Sequence, residues 1–295
     1  MNQIGVVTVL YNSESVLDEF FDTLNKQTCR NFILYVIDNK SPDNSLAKSR
    51  ELAEKYPFKT VVVANENNDG VARGNNIGIE LALKDGCDLV LLSNNDVVFE
   101  PQTIELLLEG MAETKADIVV PKIYYHGTNL IWAAGGFFRK LRGDVKHIGE
   151  REDDAGQFDS NYQIDYSPTC FMLIKRSVFE KIGIMDEKYF VYFDDTDFVY
   201  RSQKAGIKLF YICKSKLWHK ESVSTGVMSY FTVFHCNRNM MYFTLKNRGM
   251  LAFAWIMFFK IATILFWHSF TYNKNCRKAE RDGFWAGLKM CRKYL

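Results

Sequence analysis

The chain is short of cysteine pairs, of proline and of net charge, and each shortage removes a class of protein. Its seven cysteines, Cys29, Cys87, Cys170, Cys213, Cys236, Cys276 and Cys291, are scattered and never stand as C-x-x-C. That pattern argues against a structural zinc site or a disulfide framework and fits reduced thiols in a cytosolic protein. Five prolines in 295 residues argue against long disordered linkers. A formal charge of +2 gives no global reason to expect a nucleic-acid partner. No G-x-G-x-x-G follows the first apolar run, which removes the dinucleotide-dependent dehydrogenases. The opening residues carry no basic stretch or small-residue cleavage site, so no signal peptide is expected. What is present, a hydrophobic share of 47 %, suffices for one large domain and a smaller appendage.

Up to Val120 the chain alternates β-branched runs with helical patterns. Ile4–Leu10, Phe32–Ile37, Thr60–Ala64, Asp88–Leu92 and Ile118–Val120 read as strands. Between them Val16, Leu17, Phe20, Phe21 and Leu24 recur at helical spacing, and Leu46–Tyr56, Val71–Leu83 and Pro101–Thr114 read as further helices. This alternation predicts an α/β fold with a parallel sheet covered on both faces. From Lys122 to Asp165 no period is visible, and an irregular insertion over the active face is expected. Regularity returns with a strand at Cys170–Ile174, helices at Ser177–Ile182 and from Asp194 to Gly206, and a strand at Ile207–Ile212. The remainder from Ser229 is helical, aromatic and basic.

Ligands of such sheets bind beyond the carboxyl ends of the strands. There the sequence offers Thr8 to Ser13, Asp38 to Asp43, Asn65 to Asn76 with Gly70 and Gly74, and Ser93 to Asp96. Asn, Asp and Gly are also turn formers, and turn formation alone accounts for any one of these loops. Asp38 is different, because it ends a buried apolar strand and needs a partner there. Further on, Asp194, Asp195 and Asp197 crowd the start of one helix. Capping and the helix dipole account for one or two acids, and Arg201 can pair with Asp197. A third acid adds repulsion and suits a site where a metal or a reacting hydroxyl draws on it. His219 follows a strand, where a lone histidine is more often structural than a ligand.

In this order the segments resemble glycosyltransferase family 2, the inverting GT-A enzymes, and its rhamnosyltransferase-like and galactofuranosyltransferase-like branch. The matching stretches are TVLYNS from Thr8, VIDNKSPD from Val36, NNDGVARGNNIG from Asn67, LSNNDV from Leu92, SPTCFMLIKRSV from Ser167, MDEKYFVYFDDTDFVYR from Met185 and Trp218-His219. His235-Cys236-Asn237-Arg238-Asn239 resembles the H-x-x-R-N stretch of that branch. The resemblance implies a GT-A catalytic domain over residues 1–228, with a nucleotide half to about 120 and an acceptor half from about 121. Residues 229–295 are left as a small helical region.

Roles carried over by the resemblance are as follows. Thr8, Tyr11, Asn12 and Asp38 match the positions that hold the nucleoside, and Gly70, Arg73, Asn75 and Asn76 match the nucleotide loop. Asn94-Asn95-Asp96 stands where the family has D-x-D, so Asp96 is the implied metal ligand, with His219 as a second, and Asn94 removes one negative charge. Asp195 matches the catalytic base, with Asp194 beside it as the competing assignment. Thr169, Cys170 and Trp218 match the donor and acceptor pocket. The implied reaction transfers a sugar with inversion from a nucleoside-diphosphate sugar to a hydroxyl of a glycan or lipid-linked glycan, in cell-surface polysaccharide synthesis. dTDP-rhamnose is the first donor to consider. A Mn2+ or Mg2+ ion neutralises the leaving diphosphate, and an imidazole ligand tilts the choice toward Mn2+.

Leu251–Trp267 is apolar except for Lys260 and Thr263 and is flanked by Lys246, Arg248, Lys274, Arg277, Lys278 and Arg281. A central lysine in a spanning helix costs roughly 2.5–3.5 kcal/mol, which leaves a core or dimer-forming helix pair and an interfacial anchor. The resemblance favours the anchor, hence a cytoplasmic protein held at the inner face of the membrane. Two other functions compete: a sugar-1-phosphate nucleotidyltransferase, which normally shows a Gly-rich basic signature where Tyr11-Asn12-Ser13-Glu14 stands, and a non-catalytic sugar-nucleotide-binding module.

Overall fold

The structure, a computed structural model, describes residues 2–220, 229–267 and 272–293. The expected boundary between 228 and 229 falls at the edge of a stretch, 221–228, outside the described residues. The chain begins with β1 (Ile4–Leu10), α1 (Leu17–Asn25), β2 (Phe32–Asp38), α2 (Ser45–Lys55), β3 (Thr60–Ala64), α3 (Val71–Lys84) and β4 (Leu89–Ser93). There follow β5 (Val97–Phe99), α4 (Thr103–Thr114), β6 (Ile118–Tyr125), β7 (Ile131–Ala133), β8 (Gly136–Arg139), β9 (Asp144–His147) and β10 (Tyr162–Gln163). The last part comprises β11 (Phe171–Lys175), α5 (Arg176–Ile182), α6 (Asp194–Lys204), β12 (Leu209–His219), α7 (Tyr230–Ala262), a π-helical turn (Thr263–Trp267) and α8 (Lys274–Met290).

The central sheet runs β10-β12-β6-β11-β4-β1-β2-β3. Its β4-β1-β2-β3 half is parallel, and β12 is parallel to β6. β11 lies antiparallel between β4 and β6. Alternating side chains feed the two faces, as a strand buried on both sides requires. Ile4, Val6 and Leu10 of β1 join Phe20, Phe21 and Leu24 of α1 and Leu107 of α4 on one face. Val7 joins Ala72, Ile79 and Ala82 of α3 on the other. The same split separates Leu89 and Leu91 from Val90 and Leu92 on β4. Each fully buried side chain of this kind contributes about 1.5–3 kcal/mol. Gly78 lets α3 lie flush on the sheet, since a Cβ there would stand 2.3 Å from Cγ1 of Val7.

Two expectations need correction. The Lys122–Asp165 segment is ordered: β6 runs on to Tyr125, β7 pairs with it, β8 and β9 form a hairpin, and β10 adds an edge to β12. Its anchor is Lys122, wholly buried, whose Nζ meets Asp154 Oδ2 at 2.9 Å and Asp159 Oδ1 at 2.6 Å. A buried lysine paired with two acids leaves no hydrophobic period to read, which is why the pattern vanished there. The last strand begins later and runs further than Ile207–Ile212, through a register shift between Ile212 and Lys216 to His219.

α7 and α8 pack together beside the sheet. Glycines allow close approach, with Gly283 meeting Phe234 and Gly287 meeting Arg238. Inside α7, Gly249 has φ 81° and ψ 179°, which breaks the helix into two segments. Asp197 of α6 binds this assembly. It is 0 % exposed and bonded to Arg201 Nε at 2.8 Å, Lys246 Nζ at 2.7 Å and Asn247 Nδ2 at 2.7 Å. The third acid of the cluster is therefore a bracket between α6 and α7, and its surplus charge is drawn on by a lysine from a distant helix.

Candidate active site

The carboxyl ends of β1, β2 and β4 and the segment entering β11 surround a cleft of about 610 Å3. Tyr11, Gly70, Asn75, Asn94, Asn95, Asp96 and Thr169 line it, all named from the sequence. Ser13 and Asn39, from the strand-end segments read in the sequence, and Phe190 and Val191, from the stretch starting at Met185, also line it, though no role was given to them. Phe231, in the first turn of α7, lay outside every matching stretch.

Toward one end, beside the lining residues Val9 and Asn39, stand two buried polar groups that do not themselves line the cleft. Thr8 is 0 % and Asp38 2 % exposed, yet Thr8 Oγ1 and Asp38 Oδ1 have no hydrogen-bond partner among the described residues. Asp38 Oδ2 accepts from the Ser41 N–H at 3.1 Å. A buried acceptor without a donor costs about 1–3 kcal/mol or more, so the free oxygen suits a ligand N–H or hydroxyl. Asn12 sits in the left-handed region, φ 57°, and its N–H donates to Ser41 Oγ at 3.2 Å, tying the turn after β1 to the loop after β2. Asn39 ties that loop to the next, donating to Gly70 O at 2.9 Å and accepting from Asn65 Nδ2 at 2.8 Å. Gly70 has φ +88°, and a Cβ there would stand 2.1 Å from Phe190 O. Only glycine fits this contact.

Two residues of the nucleotide loop face elsewhere. Asn76 is fully buried, with Nδ2 on Met185 O at 3.0 Å and Glu187 Oε1 at 2.9 Å and Oδ1 accepting from Met185 N–H at 2.9 Å. Arg73 pairs with the same Glu187 at 2.9 Å. The expectation that Asn76 touches nucleotide is corrected, because its hydrogen bonds are spent holding the 185–187 stretch. Asn75 lines the cleft, with Met185 Sδ 3.8 Å from its amide.

At the other end Asp96 and His219 meet. β5 runs antiparallel to β12, pairing Val97 with His219, and this brings the β4–β5 turn against the last strand. His219 Nε2 lies 3.2 Å from Asp96 Oδ1 and 3.5 Å from Asn94 Nδ2. Asp96 Oδ1 and His219 Nδ1 are buried without a hydrogen-bond partner among the described residues. Burial pushes the Asp96 carboxyl up, but the imidazole beside it more than offsets this and holds it below the usual range. Among the described residues no group of three or more His, Cys, Asp and Glu side chains gathers as a metal site. A carboxylate oxygen and an imidazole in contact fit a divalent cation that takes its remaining oxygens from bound phosphates. Trp218 does not join them. Being next to His219 on a strand it faces the other way, stacks on Tyr124 at 5.7 Å and donates to Thr128 O at 3.3 Å. The tryptophan beside His219 is Trp132 on β7, at 4.8 Å between ring centroids.

The acids of α6 complete the site. Tyr166 donates to Asp195 Oδ2 at 2.6 Å, and Thr196 gives Oδ1 its N–H at 2.5 Å and its hydroxyl at 3.0 Å. Asp194 is buried, and desolvation first and the Asp195 charge second push its carboxyl up, which favours the neutral acid. Cys170 is buried and lies within electrostatic reach of Asp96 and Asp195, with burial foremost raising its thiol. Its carbonyl accepts from Asn94 N–H at 2.8 Å. The α6 acids and the Asp96–His219 pair thus border one region around Cys170.

Comparison with known proteins agrees with this geometry. The profile of the family described as Glycosyl transferase family 2 matches residues 5–183. Glycosyltransferase GlyG of Streptococcus pneumoniae is 28 % identical over 72 % of this chain, which spans 66 % of GlyG, just under two thirds. The N-acetylglucosaminyl-diphospho-decaprenol L-rhamnosyltransferase of Mycobacterium tuberculosis is 25 % identical over 76 % of this chain and 78 % of its own length. In fold, the crystal structure of S. aureus TarS 1-349 in complex with UDP-GlcNAc superposes with a TM-score of 0.61 at 14 % identity, covering 98 % of this chain and 81 % of that one. With its sheet order, its strand-end cleft and a profile match over more than half its length, the chain belongs to glycosyl transferase family 2, with the GT-A type of fold.

Proposed function

We propose that the protein transfers one sugar, with inversion, from a nucleoside-diphosphate sugar to a hydroxyl of a glycan or lipid-linked glycan in cell-surface polysaccharide synthesis, at the inner face of the cell membrane. The observation that carries the reading is a pair of features beside one cleft: unpartnered Thr8 Oγ1 and Asp38 Oδ1, adjacent in sequence to the lining residues Val9 and Asn39, and the Asp96–His219 contact, of which Asp96 lines the cleft. The first suits a base or ribose, the second a diphosphate with its cation. Asp96 and His219 would hold Mn2+ or Mg2+, which supplies charge neutralisation to the leaving diphosphate.

Asp195 serves as the base. The acceptor oxygen forms its bond to the anomeric carbon as the bond from that carbon to the diphosphate oxygen breaks on the opposite face, and the acceptor proton passes to Asp195. Tyr166 and Thr196 fix the carboxylate for that transfer. dTDP-rhamnose is the donor to try first, on the strength of the mycobacterial relative's name, and UDP-N-acetylglucosamine second, after the TarS complex.

The deciding experiment offers each sugar nucleotide with Mn2+ and a panel of lipid-linked acceptors and follows the nucleotide product. Nucleoside diphosphate released only when acceptor is present is the expected result. Pyrophosphate release, which marks a nucleotidyltransferase, overturns the reading, and so does binding of the donor without turnover on any acceptor.

A further inference from the structure

The second segment of α7 departs from the usual rule for a surface helix. Its exposed positions are Met250, Leu251, Ala254, Trp255, Phe258, Ile261 and Leu265, all apolar and at helical spacing. Leu251 is 89 % and Phe258 66 % exposed. Lys260, the residue that makes a spanning helix costly, lies on the inner side, 3.4 Å from Glu280 of α8. The charge faces the protein and the apolar stripe faces out. Only 11 % of the helix's most apolar stretch is buried, unlike the core helix of a soluble protein.

Basic residues border this stripe. The β8–β9 turn rests on α7 through Trp255 Nε1, which donates to Leu141 O at 2.9 Å. Leu141 is 72 % exposed between Lys140 and Arg142, both exposed. α8 buries Cys276, Ala279, Gly283 and Gly287 and turns outward Lys274, Lys278, Arg281, Trp285 and Lys289. Two elements beside the apolar stripe, the Leu141 turn and α8, thus each place a bulky apolar side chain among cations. A second protein copy would call for acids opposite these lysines and arginines, and the outward face described here has none. A bilayer of anionic lipids answers both parts, with headgroup phosphates for the cations and the acyl boundary for leucine, tryptophan and phenylalanine.

We propose that the α7 stripe, the Leu141 turn and the outward face of α8 form one surface that binds anionic phospholipid bilayers without crossing them. This deepens the membrane location proposed above and is independent of sugar transfer, because vesicle binding is read without turnover. The test is co-sedimentation of the full chain with vesicles of phosphatidylcholine alone and of equimolar phosphatidylcholine and phosphatidylglycerol. Binding to the anionic vesicles is expected, at least about tenfold tighter than to the neutral ones and released by high salt.

The double substitution Lys278→Glu, Arg281→Glu, on exposed sites that leave packing untouched, weakens binding by about tenfold or more. The pair Leu251→Glu, Phe258→Glu abolishes it, with the thermal midpoint recorded to show that the fold persists. Equal binding to both vesicle types overturns the proposal, as does no binding to either. Retention through an alkaline carbonate wash overturns it in favour of a spanning helix. A stable dimer in sedimentation that Leu251→Glu, Phe258→Glu dissociates, without vesicle binding, overturns it in favour of a second copy.

Discussion

The Tyr166 hydroxyl donates to Oδ2 of Asp195 at 2.6 Å, so a residue from the segment entering β11 orients the acid at the start of α6. Phe138 of the β8–β9 hairpin packs on Tyr166 at 5.7 Å between ring centroids and holds it from behind. The carboxylate proposed as the base is thereby aimed by Tyr166, which is backed by a hairpin of the segment that looked patternless in sequence.

Asp195→Asn is expected to lower turnover about 10²–10⁴-fold, the contribution of a positioned base, while binding of the donor diphosphate by calorimetry stays near normal. Tyr166→Phe removes one bond to a carboxylate and lowers kcat roughly tenfold or more with donor KM little changed. Asp194→Asn, at a group whose burial and acidic neighbour favour the neutral acid, is expected to retain far more activity than Asp195→Asn. The reverse order of the two aspartates would exchange their roles.

Removing either partner of the cation end changes metal response before nucleotide binding. Asp96→Ala and His219→Ala are each expected to raise the Mn2+ concentration for half-maximal activity by tenfold or more, of the order seen when a metal site loses support. Titration of activity with Mn2+ measures it, and unchanged titration curves would separate these residues from the cation.

Lys246 bridges Asp186 at 2.8 Å and Asp197 at 2.7 Å. Breaking a buried pair from one side costs about 3–5 kcal/mol, so Lys246→Met is expected to lower the unfolding free energy obtained from urea titration by that amount without touching the cleft. If stability holds within experimental error, α7 is docked by its apolar contacts alone.

His235 stacks on Phe190 and Phe231, both lining the cleft, at 5.6 Å and 4.4 Å between ring centroids. Burial first, and the Arg238 charge second, lower its pKa to about 4 from an ordinary 6.5. In the unfolded chain the ring takes a proton below about 6.5, and in the folded protein only below about 4. The unfolded state therefore binds more protons across that window, and stability falls as pH drops through it, by up to about 3 kcal/mol. His235→Phe keeps the stack and should flatten this part of the stability curve in urea unfolding between pH 7 and pH 4.

The parallel half of the sheet was legible because burial on both faces makes β1 and β4 continuous apolar runs, and α1 carries one apolar stripe. Asp38 stood out because a carboxylate ending a buried strand needs a partner, and its Oδ1 does lack one. Residues whose setting depends on distant packing were not legible. Asp197 was legible as the partner of Arg201, but its further partners Lys246 and Asn247 come from another helix. Trp218 was taken with its neighbour His219, yet adjacent strand residues face opposite sides. Trp132 and Tyr166 sit in a stretch organised around buried Lys122, where no periodicity announces them.

The pairing of β5 with β12 has a consequence for biogenesis. Asn94 and His219 are 125 positions apart, and β12 follows the other strands of the sheet in chain order among the described residues. A nascent chain that lacks Leu209–His219 carries β6 with an open edge, an invitation to intermolecular pairing. Sealing that edge and delivering the imidazole to Asp96 are one event, so a polypeptide cut short during translation is both sticky and unarmed.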